Sequence, residues 1–330
     1  REKVILCAML SSYNKTFKNM GKNMNKYRLV TRSDMDGLVC AVLLKEVGII
    51  DEITFVHPKD MQDGKIKITE NDITTNLPYV DGVFLAFDHH LSETIRNEKK
   101  DNHIIIPDAP SAARVVFDHY GGEEEFGSKF YDMMEAVDKA DAAQFSKEDV
   151  LNPQGWDLLS FLMDARTGLG RFREFRISNY ALMMDLIDYC KDHPIEDILK
   201  LEDVQERSKL YAEQAQQFAE QLKRCSTIYN NLVVLDLRDE ETIHAGNRFM
   251  IYALFPETNI SIHVMWGFKK QNTVFATGNS IINRTSKTSI GELMLKYNGG
   301  GHENAGTCQV PHDQADKVLN ELIKAITDNG

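Results

Sequence analysis

The sequence predicts an α/β protein with an N-terminal, doubly wound, mostly parallel sheet, a helical linker and a smaller C-terminal α+β domain. Three observations lead to this fold class. Strand-like and helix-like segments alternate from residue 26 to about residue 130, as they do in parallel sheets covered by helices. Helical patterns alone follow and end in one long polar helix. Strand patterns return after about residue 230.

The strands and helices of the alternating part, residues 26 to about 130, are predicted from local sequence patterns. Strands are predicted at KYRLV, EITFVHP, DGVFLAF and HIIIP, and helices at LVCAVLLKEVG and SAARVVFDHYG. The first of these helices is apolar over most of its surface, which is typical of a helix buried inside a domain. Open parallel sheets bind ligands at the carboxyl ends of their strands. We therefore expect functional residues in the loops that follow these strands.

The second half is predicted by the same patterns. Helices are expected at FYDMMEAVDKADAAQF, WDLLSFLMDA and YALMMDLIDYC, followed by a long helix at DVQERSKLYAEQAQQFAEQLKRC, which contains no Gly or Pro. Strands are then expected at NLVVLDL, RFMIYALF, ISIHVMW and TVFATGNSII, and helices at SIGELMLKY and DQADKVLNELIKAI. The predicted divisions are an N-terminal extension (1–25), the sheet domain (26–200), a helical linker (201–228) and the C-terminal domain (229–330).

Composition narrows the functional classes. The 330 residues are 42% hydrophobic and 27% charged, which is typical of a globular chain with two domains. No apolar run is long enough for a membrane span, and the first residues lack a cleavage signal. The five cysteines are scattered and never form a CxxC pair, which argues against structural zinc and disulfides. We expect a cytoplasmic protein without a membrane partner.

The net charge of −12 argues against a basic surface for long DNA. An anionic substrate remains compatible with this charge if bound metal ions supply positive charge at the site. The sequence therefore favours a small soluble substrate.

Acidic residues and histidines stand near the ends of several predicted elements. Asp34 and Asp36 lie in DMDG, where two carboxylates before a glycine are typical of either a metal ligand pair or a helix-capping turn. Asp72 follows the GKIKI stretch, and Asp88-His89-His90 ends a predicted strand. Asp141 lies where the helical region begins. Carboxylates and imidazoles without thiolates suit Mn²⁺ or Mg²⁺, with Co²⁺ as a further alternative, better than zinc. Such a set can form a centre of two metal ions.

In this order the motifs resemble those of the DHH phosphoesterases. The matching segments are DMDG (34–37), Asp72, DHH (88–90), DAAQF (141–145) and GGGH (299–302). The resemblance covers nearly the whole chain from about residue 26 and is closest to the oligoribonuclease and exopolyphosphatase-related branch. It implies a metal-dependent hydrolase whose catalytic domain is 26–200 and whose substrate-binding domain is 229–330.

The resemblance also implies a role for each motif residue. Asp34 and Asp36 would each bind one metal ion, Asp72 would bridge both, and His89 with Asp141 would complete the second site. The catalytic set is Asp88, His89 and His90, in which Asp88 orients the histidines and His90 faces the substrate phosphate. Many family members have a histidine ligand shortly before the first aspartate. This chain has Val30-Thr31-Arg32-Ser33 there, so the first metal site lacks one protein ligand.

In the C-terminal domain the resemblance implies that the terminal phosphate or nucleotide is bound by Arg284, Gly299, Gly300, Gly301 and His302. A glycine run can form an anion-binding nest, although GGG alone is more typical of a structural turn. RTGLGRFREFR (166–176) contains four arginines. It is equally typical of a basic patch that guides a polyanion and of a solvated connection between helices.

The family resemblance implies hydrolysis of phosphodiester bonds in short substrates. Linear dinucleotides and very short RNA are the substrates that we rank first. The alternatives within the family are an exopolyphosphatase or pyrophosphatase and a 3′-phosphoadenosine 5′-phosphate phosphatase. A further alternative is a nucleotide-binding regulatory protein on a degenerate DHH scaffold. The resemblance also implies that two copies can pair as a homodimer.

Overall fold

The computed structural model describes residues 26–330, without the side chains of residues 92, 95 and 96. The predicted N-terminal extension (1–25) lies outside the described residues. The described chain divides into two compact units. The first contains residues 26–142, Gly155–Ala165 and Arg173–Gln205, and the second contains Ala143–Gln154, Arg166–Phe172 and Glu206–Gly330. The predicted boundaries at residues 200 and 228 stay predictions.

A five-stranded parallel sheet forms the centre of the first unit. Its strands are β1 (Tyr27–Arg32), β2 (Ile50–Val56), β3 (Asp72–Thr75), β4 (Leu85–Asp88) and β5 (His103–Ile105), in the order β2-β1-β3-β4-β5. The chain therefore moves from β1 to one side of the sheet and then returns to the other side. This reversal creates a crevice between the carboxyl ends of β1 and β3, where open α/β sheets bind ligands.

Helix α1 (Met35–Val47) is the most deeply buried helix of this unit, because every residue from Met35 to Leu44 is buried. It begins at its N-cap residue Asp34 and ends at Gly48, whose φ of 83° is the left-handed conformation that glycine favours at helix ends. The prediction of a helix that is apolar on nearly all sides is confirmed.

The other helices of the first unit cover the sheet and extend beyond it. They are α2 (Pro58–Gln62), α3 (Leu91–Arg96), α4 (Ala112–His119), α5 (Glu123–Phe126) and α6 (Tyr131–Asp141), while α7 (Lys147–Leu151) belongs to the second unit. The first unit continues with α8 (Gly155–Met163), α9 (Asn179–Asp192) and α10 (Ile195–Ile198), and α11 (Glu202–Cys225) runs from the first unit into the second. α1 packs against α4, α6 and α9.

The second unit contains a six-stranded mixed sheet. Its strands are β6 (Ser226–Tyr229), β7 (Leu232–Asp236), β8 (Ile260–Trp266), β9 (Thr273–Asn279), β10 (Gly300–His302) and β11 (Ala305–Val310), in the order β10-β11-β9-β8-β7-β6. Its helices are α12 (Met250–Leu254), α13 (Ile290–Leu295) and α14 (His312–Asn329). Apolar side chains of β7, β8, α13 and α14 form one continuous core.

The fold class is confirmed, and the differences are local. RFMIYALF was predicted as a strand, but Met250–Leu254 is the helix α12. A short apolar run cannot distinguish a buried helix from a strand. Here β7 and β8 are parallel neighbours, and a parallel pair needs a crossover that is usually helical.

Two further observations concern helix hydrophobicity and the cysteines. No helix among residues 26–330 is long and apolar enough to cross a membrane. Cys40, Cys190, Cys225 and Cys308 are free thiols.

Candidate metal centre

The DMDG segment forms the turn from β1 into α1. The Asp34 carboxylate accepts a hydrogen bond from the Gly37 backbone N–H at 3.0 Å and caps the helix. Its other oxygen lies 2.9 Å from Nε of Arg32. A Cβ atom on Gly37 would lie 1.9 Å from the Arg32 carbonyl oxygen, so the turn requires glycine. Asp34 therefore caps α1, as one of the two alternatives predicts, and its place at the carboxyl end of β1 is also compatible with a metal ligand.

Asp36 is 2% exposed. Its two carboxylate oxygens accept hydrogen bonds from the Ala112 and Ala113 backbone N–H groups, at 3.1 and 2.7 Å, at the start of α4. Burial and the nearby charges of Asp141 and Asp34 raise the pKa of Asp36 well above its usual range. A bound cation would relieve both effects because it compensates the buried negative charge.

The Asp88-His89-His90 turn follows β4 at the same edge of the sheet. Asp88 is 1% exposed, and its Oδ1 accepts from the backbone N–H groups of His89 and His90, at 2.8 and 3.2 Å. The same oxygen lies 2.7 Å from Nδ1 of His90. Asp88 Oδ2 is buried without a hydrogen-bond partner among the described residues. Asp88 thus fixes the turn that presents both histidines.

His89, Asp36 and Asp141 come together in one cluster. One ligand atom from each residue lies within 4.8 Å of the others. Nδ1 of His89 lies 3.1 Å from the Ala109 carbonyl oxygen, and its Nε2 lies 2.9 Å from the Asp141 carboxylate. A proton on Nδ1 that is donated to Ala109 leaves the Nε2 lone pair for a metal ion, which is the usual arrangement of a histidine ligand.

The neighbouring carboxylates of this cluster determine the pKa of His89. Burial by itself lowers the pKa of His89, but Asp141 and Asp36 outweigh burial and raise the pKa to about 9. The carboxylates thus favour a positive charge at this position, which a divalent cation supplies more strongly than a proton. Two carboxylates and one imidazole fit Mn²⁺ or Mg²⁺.

Asp72 requires a correction, because it does not lie in this cluster. The sequence analysis placed Asp72 after the GKIKI stretch, near the end of an element, but β3 begins at Asp72 and runs to Thr75. Asp72 pairs with Arg28 in the sheet register, at the amino ends of β1 and β3. It is therefore at the edge opposite Asp34 and Asp36. Its carboxylate binds Nε of Arg28 at 2.7 Å and the Thr69 backbone N–H at 2.7 Å.

Asn76 follows β3 directly and was missed by the sequence analysis. It is 2% exposed, has a φ of 55°, and neither its Oδ1 nor its Nδ2 has a hydrogen-bond partner among the described residues. The available signal was the segment ITTN, an apolar-polar run that ends in a polar residue.

The predicted substrate residues lie in the second unit. Arg284, between β9 and α13, is exposed, and its guanidinium donates to the carbonyl oxygens of Ile281 and Ala143, at 3.0 and 2.9 Å. These two contacts hold the charged group in one orientation. Arg284 therefore presents a fixed cation at the surface of this unit.

The GGGH segment forms the edge strand β10 instead of a nest. Asn298 has a positive φ, but Gly299, Gly300 and Gly301 do not, and a nest requires alternating right- and left-handed residues. A Cβ atom on Gly299 or Gly301 would lie 2.3 or 2.2 Å from a carbonyl oxygen of β11. These glycines thus permit close strand packing, and His302 is exposed at the end of the strand.

The arginine stretch 166–176 contains two short 3-10 turns, Ala165–Thr167 and Leu169–Arg171. Its arginines are divided between the two units. Arg176 is paired with Asp203 through its Nε at 3.0 Å, and Nε of Arg171 donates to the Gly168 carbonyl at 3.2 Å. These contacts favour the interpretation that residues 166–176 connect two helices. They argue against a continuous basic patch.

Among known proteins, a strong match is the pGpG-specific phosphodiesterase PggH of Vibrio cholerae. The identity is 62%, the match covers 92% of this chain and 100% of that chain, and the TM-score is 0.84. No protein-family model matches the chain, and no curated protein matches it.

Two distant structures share the fold. The DHH domain of a member of the s1p family of ribosomal proteins is 10% identical over 92% of this chain and 87% of its own, with a TM-score of 0.54. RecJ of Thermus thermophilus, in complex with Mn²⁺, is 14% identical with a TM-score of 0.52. That match covers 97% of this chain and 55% of RecJ. At these identities the likeness concerns the fold alone.

Proposed function

Because the chain belongs to the DHH family of phosphoesterases, we propose that it is a metal-dependent phosphodiesterase that hydrolyses linear dinucleotides, with pGpG as its principal substrate. The observation that carries this proposal is the 62% identity, over the full length of the other chain, to a pGpG-specific phosphodiesterase. The cluster of Asp36, His89 and Asp141 supports a metal-dependent reaction.

Of the two divalent cations that the family resemblance implies, one would be held by Asp36, His89 and Asp141, and Asp34, at the end of β1, would contribute to the other. A divalent cation supplies charge neutralisation of the phosphodiester and a lowered pKa of water at the site. Ala109 contributes by holding the His89 ring through its carbonyl oxygen. Mn²⁺ is the proposed ion because the ligands are carboxylates and an imidazole.

His90 is proposed to contact the scissile phosphate. Its side chain is 39% exposed, and Nδ1 lies 2.7 Å from the buried Asp88 carboxylate. When Nδ1–H donates to Asp88, Nε2 points away from that contact, and in the imidazolium form it can donate to a phosphate or leaving-group oxygen. Asp88 acts by orienting this ring.

Recognition of the terminal phosphate is assigned in this proposal to the second unit. Arg284 offers a guanidinium held by two carbonyl oxygens, a geometry suited to phosphate oxygens. His302 and the backbone of Gly299, Gly300 and Gly301 are proposed to bind the same nucleotide. The cytoplasmic location and the homodimer stay predictions.

A hydrolysis panel with the Mn²⁺-supplemented protein tests the function. The panel compares pGpG, other linear dinucleotides, RNA of three to five nucleotides, 3′-phosphoadenosine 5′-phosphate and polyphosphate. We expect GMP from pGpG at the highest kcat/KM and no activity after EDTA treatment. Phosphate release from polyphosphate alone would contradict the proposal, and so would full activity after exhaustive chelation.

Two variants on helix α6 serve as an inactive reference for the hydrolysis panel and as its matched control. Asp141→Asn removes a carboxylate from the cluster, and Asp132→Asn removes an exposed one at the other end of the same helix. We expect turnover to be lost in the first variant and retained in the second. Equal loss in both, or in neither, would contradict the assigned centre.

A further inference from the structure

A tight turn follows β5, at the same edge of the sheet as the DHH turn. The Ala109 backbone N–H donates to the Ile106 carbonyl oxygen at 3.0 Å, which closes a four-residue turn, Ile106–Ala109, here called the β5 turn. Its second position is Pro107, whose fixed φ suits that position. The chain thus places Asp108 at the third position of a stiff turn.

The β5 turn is tied to the DHH turn at both of its ends. The Ile106 backbone N–H donates to the Asp88 carbonyl oxygen at 3.1 Å. The Ala109 carbonyl oxygen lies 3.1 Å from Nδ1 of His89. Asp108 directly precedes Ala109, so it lies beside the proposed metal centre. The base of a nucleotide whose phosphate is bound at that centre would be near this turn.

Three side chains that border the DHH turn are open to a ligand. The carboxylates of Asp36 and Asp88 are buried and hydrogen-bonded within the protein, whereas Asp108 is exposed. Leu91, the first residue after the DHH triplet, is 63% exposed, and Ile106 is 42% exposed. A single exposed leucine is ordinary. Here, however, two apolar side chains and a carboxylate stand together beside the proposed reaction site.

These three side chains match the chemistry of one nucleobase. Proteins bind an unstacked base by apolar contact with its faces and by hydrogen bonds to its Watson–Crick edge. Guanine presents two adjacent donors at that edge, N1–H and the 2-amino group, which suit the two oxygens of a carboxylate. Adenine presents a lone pair at N1, which a carboxylate repels. An exposed carboxylate therefore selects guanine both by attraction and by rejection of adenine.

We propose that Asp108 is a specificity residue that accepts hydrogen bonds from N1–H and the 2-amino group of one guanine of pGpG, while Leu91 and Ile106 contact the face of that base. The proposal rests on the proposed hydrolysis of linear dinucleotides and gives a structural reason for a preference for guanine. The stiff β5 turn favours binding, because little backbone freedom remains to be lost when the base arrives.

Asp108→Asn tests the pairing, because it keeps the shape of the side chain and exchanges one acceptor for a donor. The amide oxygen can accept from the 6-amino group of adenine while the amide N–H donates to adenine N1. Asp101→Asn is the matched control, since Asp101 is an exposed aspartate shortly before β5, at the opposite end of that strand. Mn²⁺ affinity is measured for each variant, because the β5 turn also holds His89.

Steady-state kinetics compare pGpG, pApA and the mixed dinucleotides pGpA and pApG. In Asp108→Asn we expect KM for pGpG to rise about tenfold or more and KM for pApA to fall. Values of kcat should stay unchanged, because the base is bound equally in the ground and transition states. The mixed substrates should respond to the base at one position only. Asp101→Asn should behave as the wild type.

Two results would overturn the assignment of Asp108. An equal change for all four substrates would mean that the residue acts on the turn and not on the base. A fall in kcat together with weaker Mn²⁺ binding would mean that it acts through His89.

The apolar contact is tested by Leu91→Ala. This variant should raise KM for pGpG and pApA by the same factor, because the face of a base carries little information on its identity. Ile228→Ala, 44% exposed on β6, is the control and should change neither value. An unchanged KM in Leu91→Ala would overturn the apolar contact.

Binding of GMP and AMP in the presence of Mn²⁺ measures base recognition without hydrolysis. We expect the wild type to prefer GMP and Asp108→Asn to lose that preference. A wild-type protein that leaves pGpG intact but shows this pattern would refute the proposed substrate and support the specificity residue. A wild-type protein that hydrolyses pGpG, with the same preference for GMP in Asp108→Asn, would refute the specificity residue alone.

Discussion

Arg28 donates from Nε to an Asp72 carboxylate oxygen at 2.7 Å, at the amino ends of β1 and β3. Asp34 and Asp36 of the candidate centre follow the carboxyl end of the same strand β1. Asp72 is 2% exposed, and the Thr69 backbone N–H and hydroxyl also bind its carboxylate. These contacts make Asp72 a structural residue that closes the base of the sheet.

Asp72→Asn should therefore lower stability and leave the metal centre intact. The substitution replaces charge-assisted hydrogen bonds by neutral ones, which corresponds to about 1–3 kcal/mol of unfolding free energy. Urea unfolding and Mn²⁺ titration measure the two effects separately. Loss of Mn²⁺ binding at unchanged stability would restore Asp72 as a metal ligand.

The same pair predicts a pH dependence. Burial by itself raises the pKa of Asp72, but the hydrogen bonds from Arg28 and Thr69 outweigh it, so that the pKa lies below its usual value. A lowered pKa contributes stability that is complete above about pH 4 and is lost as the pH falls through the folded-state pKa. The stability difference between wild type and Asp72→Asn should accordingly shrink in acid. A difference that stays constant from pH 7 to pH 3 would contradict this.

The Asp72 error shows what limited the prediction from sequence. The strands β1, β2 and β4 and the helix α1 were recognisable because their patterns are strong and local. β3 has four residues, all buried, and the neighbouring GKIKI alternates more regularly. Only the sheet register, a long-range property, decides that Asp72 starts the strand and that Asn76 follows it.

The cluster of Asp36, His89 and Asp141 was predictable because each residue lies at or next to the start or end of an element with a clear pattern. The residues that hydrogen-bond to the cluster could not be predicted. Ala109, which holds His89, and Ala112 and Ala113, which bind Asp36, act through backbone atoms. Backbone contacts leave no residue-type signal in a single sequence.

Arg32 should compete with a cation for Asp34, because its Nε lies 2.9 Å from the carboxylate. Breaking a partly exposed pair of this kind releases about 0.5–1 kcal/mol, or about two- to fivefold in affinity. Arg32→Gln should thus bind Mn²⁺ more tightly. Arg28→Gln on the same strand is the control, with lower stability and unchanged Mn²⁺ affinity. Weaker Mn²⁺ binding in Arg32→Gln would mean that the guanidinium supports the site.

Substitutions of the two histidines in the DHH turn should have different effects on Mn²⁺ affinity and on kcat. His89→Asn removes a proposed metal ligand and should lower Mn²⁺ affinity by about tenfold or more. His90→Gln should keep Mn²⁺ affinity and lower kcat by about 100-fold, the usual contribution of a proton donor. His193→Gln, exposed after α9, should change neither. Equal losses of Mn²⁺ affinity in both DHH variants would contradict the division of roles.

Arg284 should act on substrates that carry a terminal phosphate. Its guanidinium is held by the carbonyl oxygens of Ile281 and Ala143, whereas a lysine keeps the charge but loses this fixed geometry. Arg284→Lys should therefore raise KM for pGpG toward the value for GpG, with kcat unchanged, because the interaction is the same in the ground and transition states. Arg171→Lys, an exposed arginine in a 3-10 turn, is the control. An equal rise in KM for pGpG and GpG would assign Arg284 to another part of the nucleotide, and a fall in kcat alone would place it at the scissile bond.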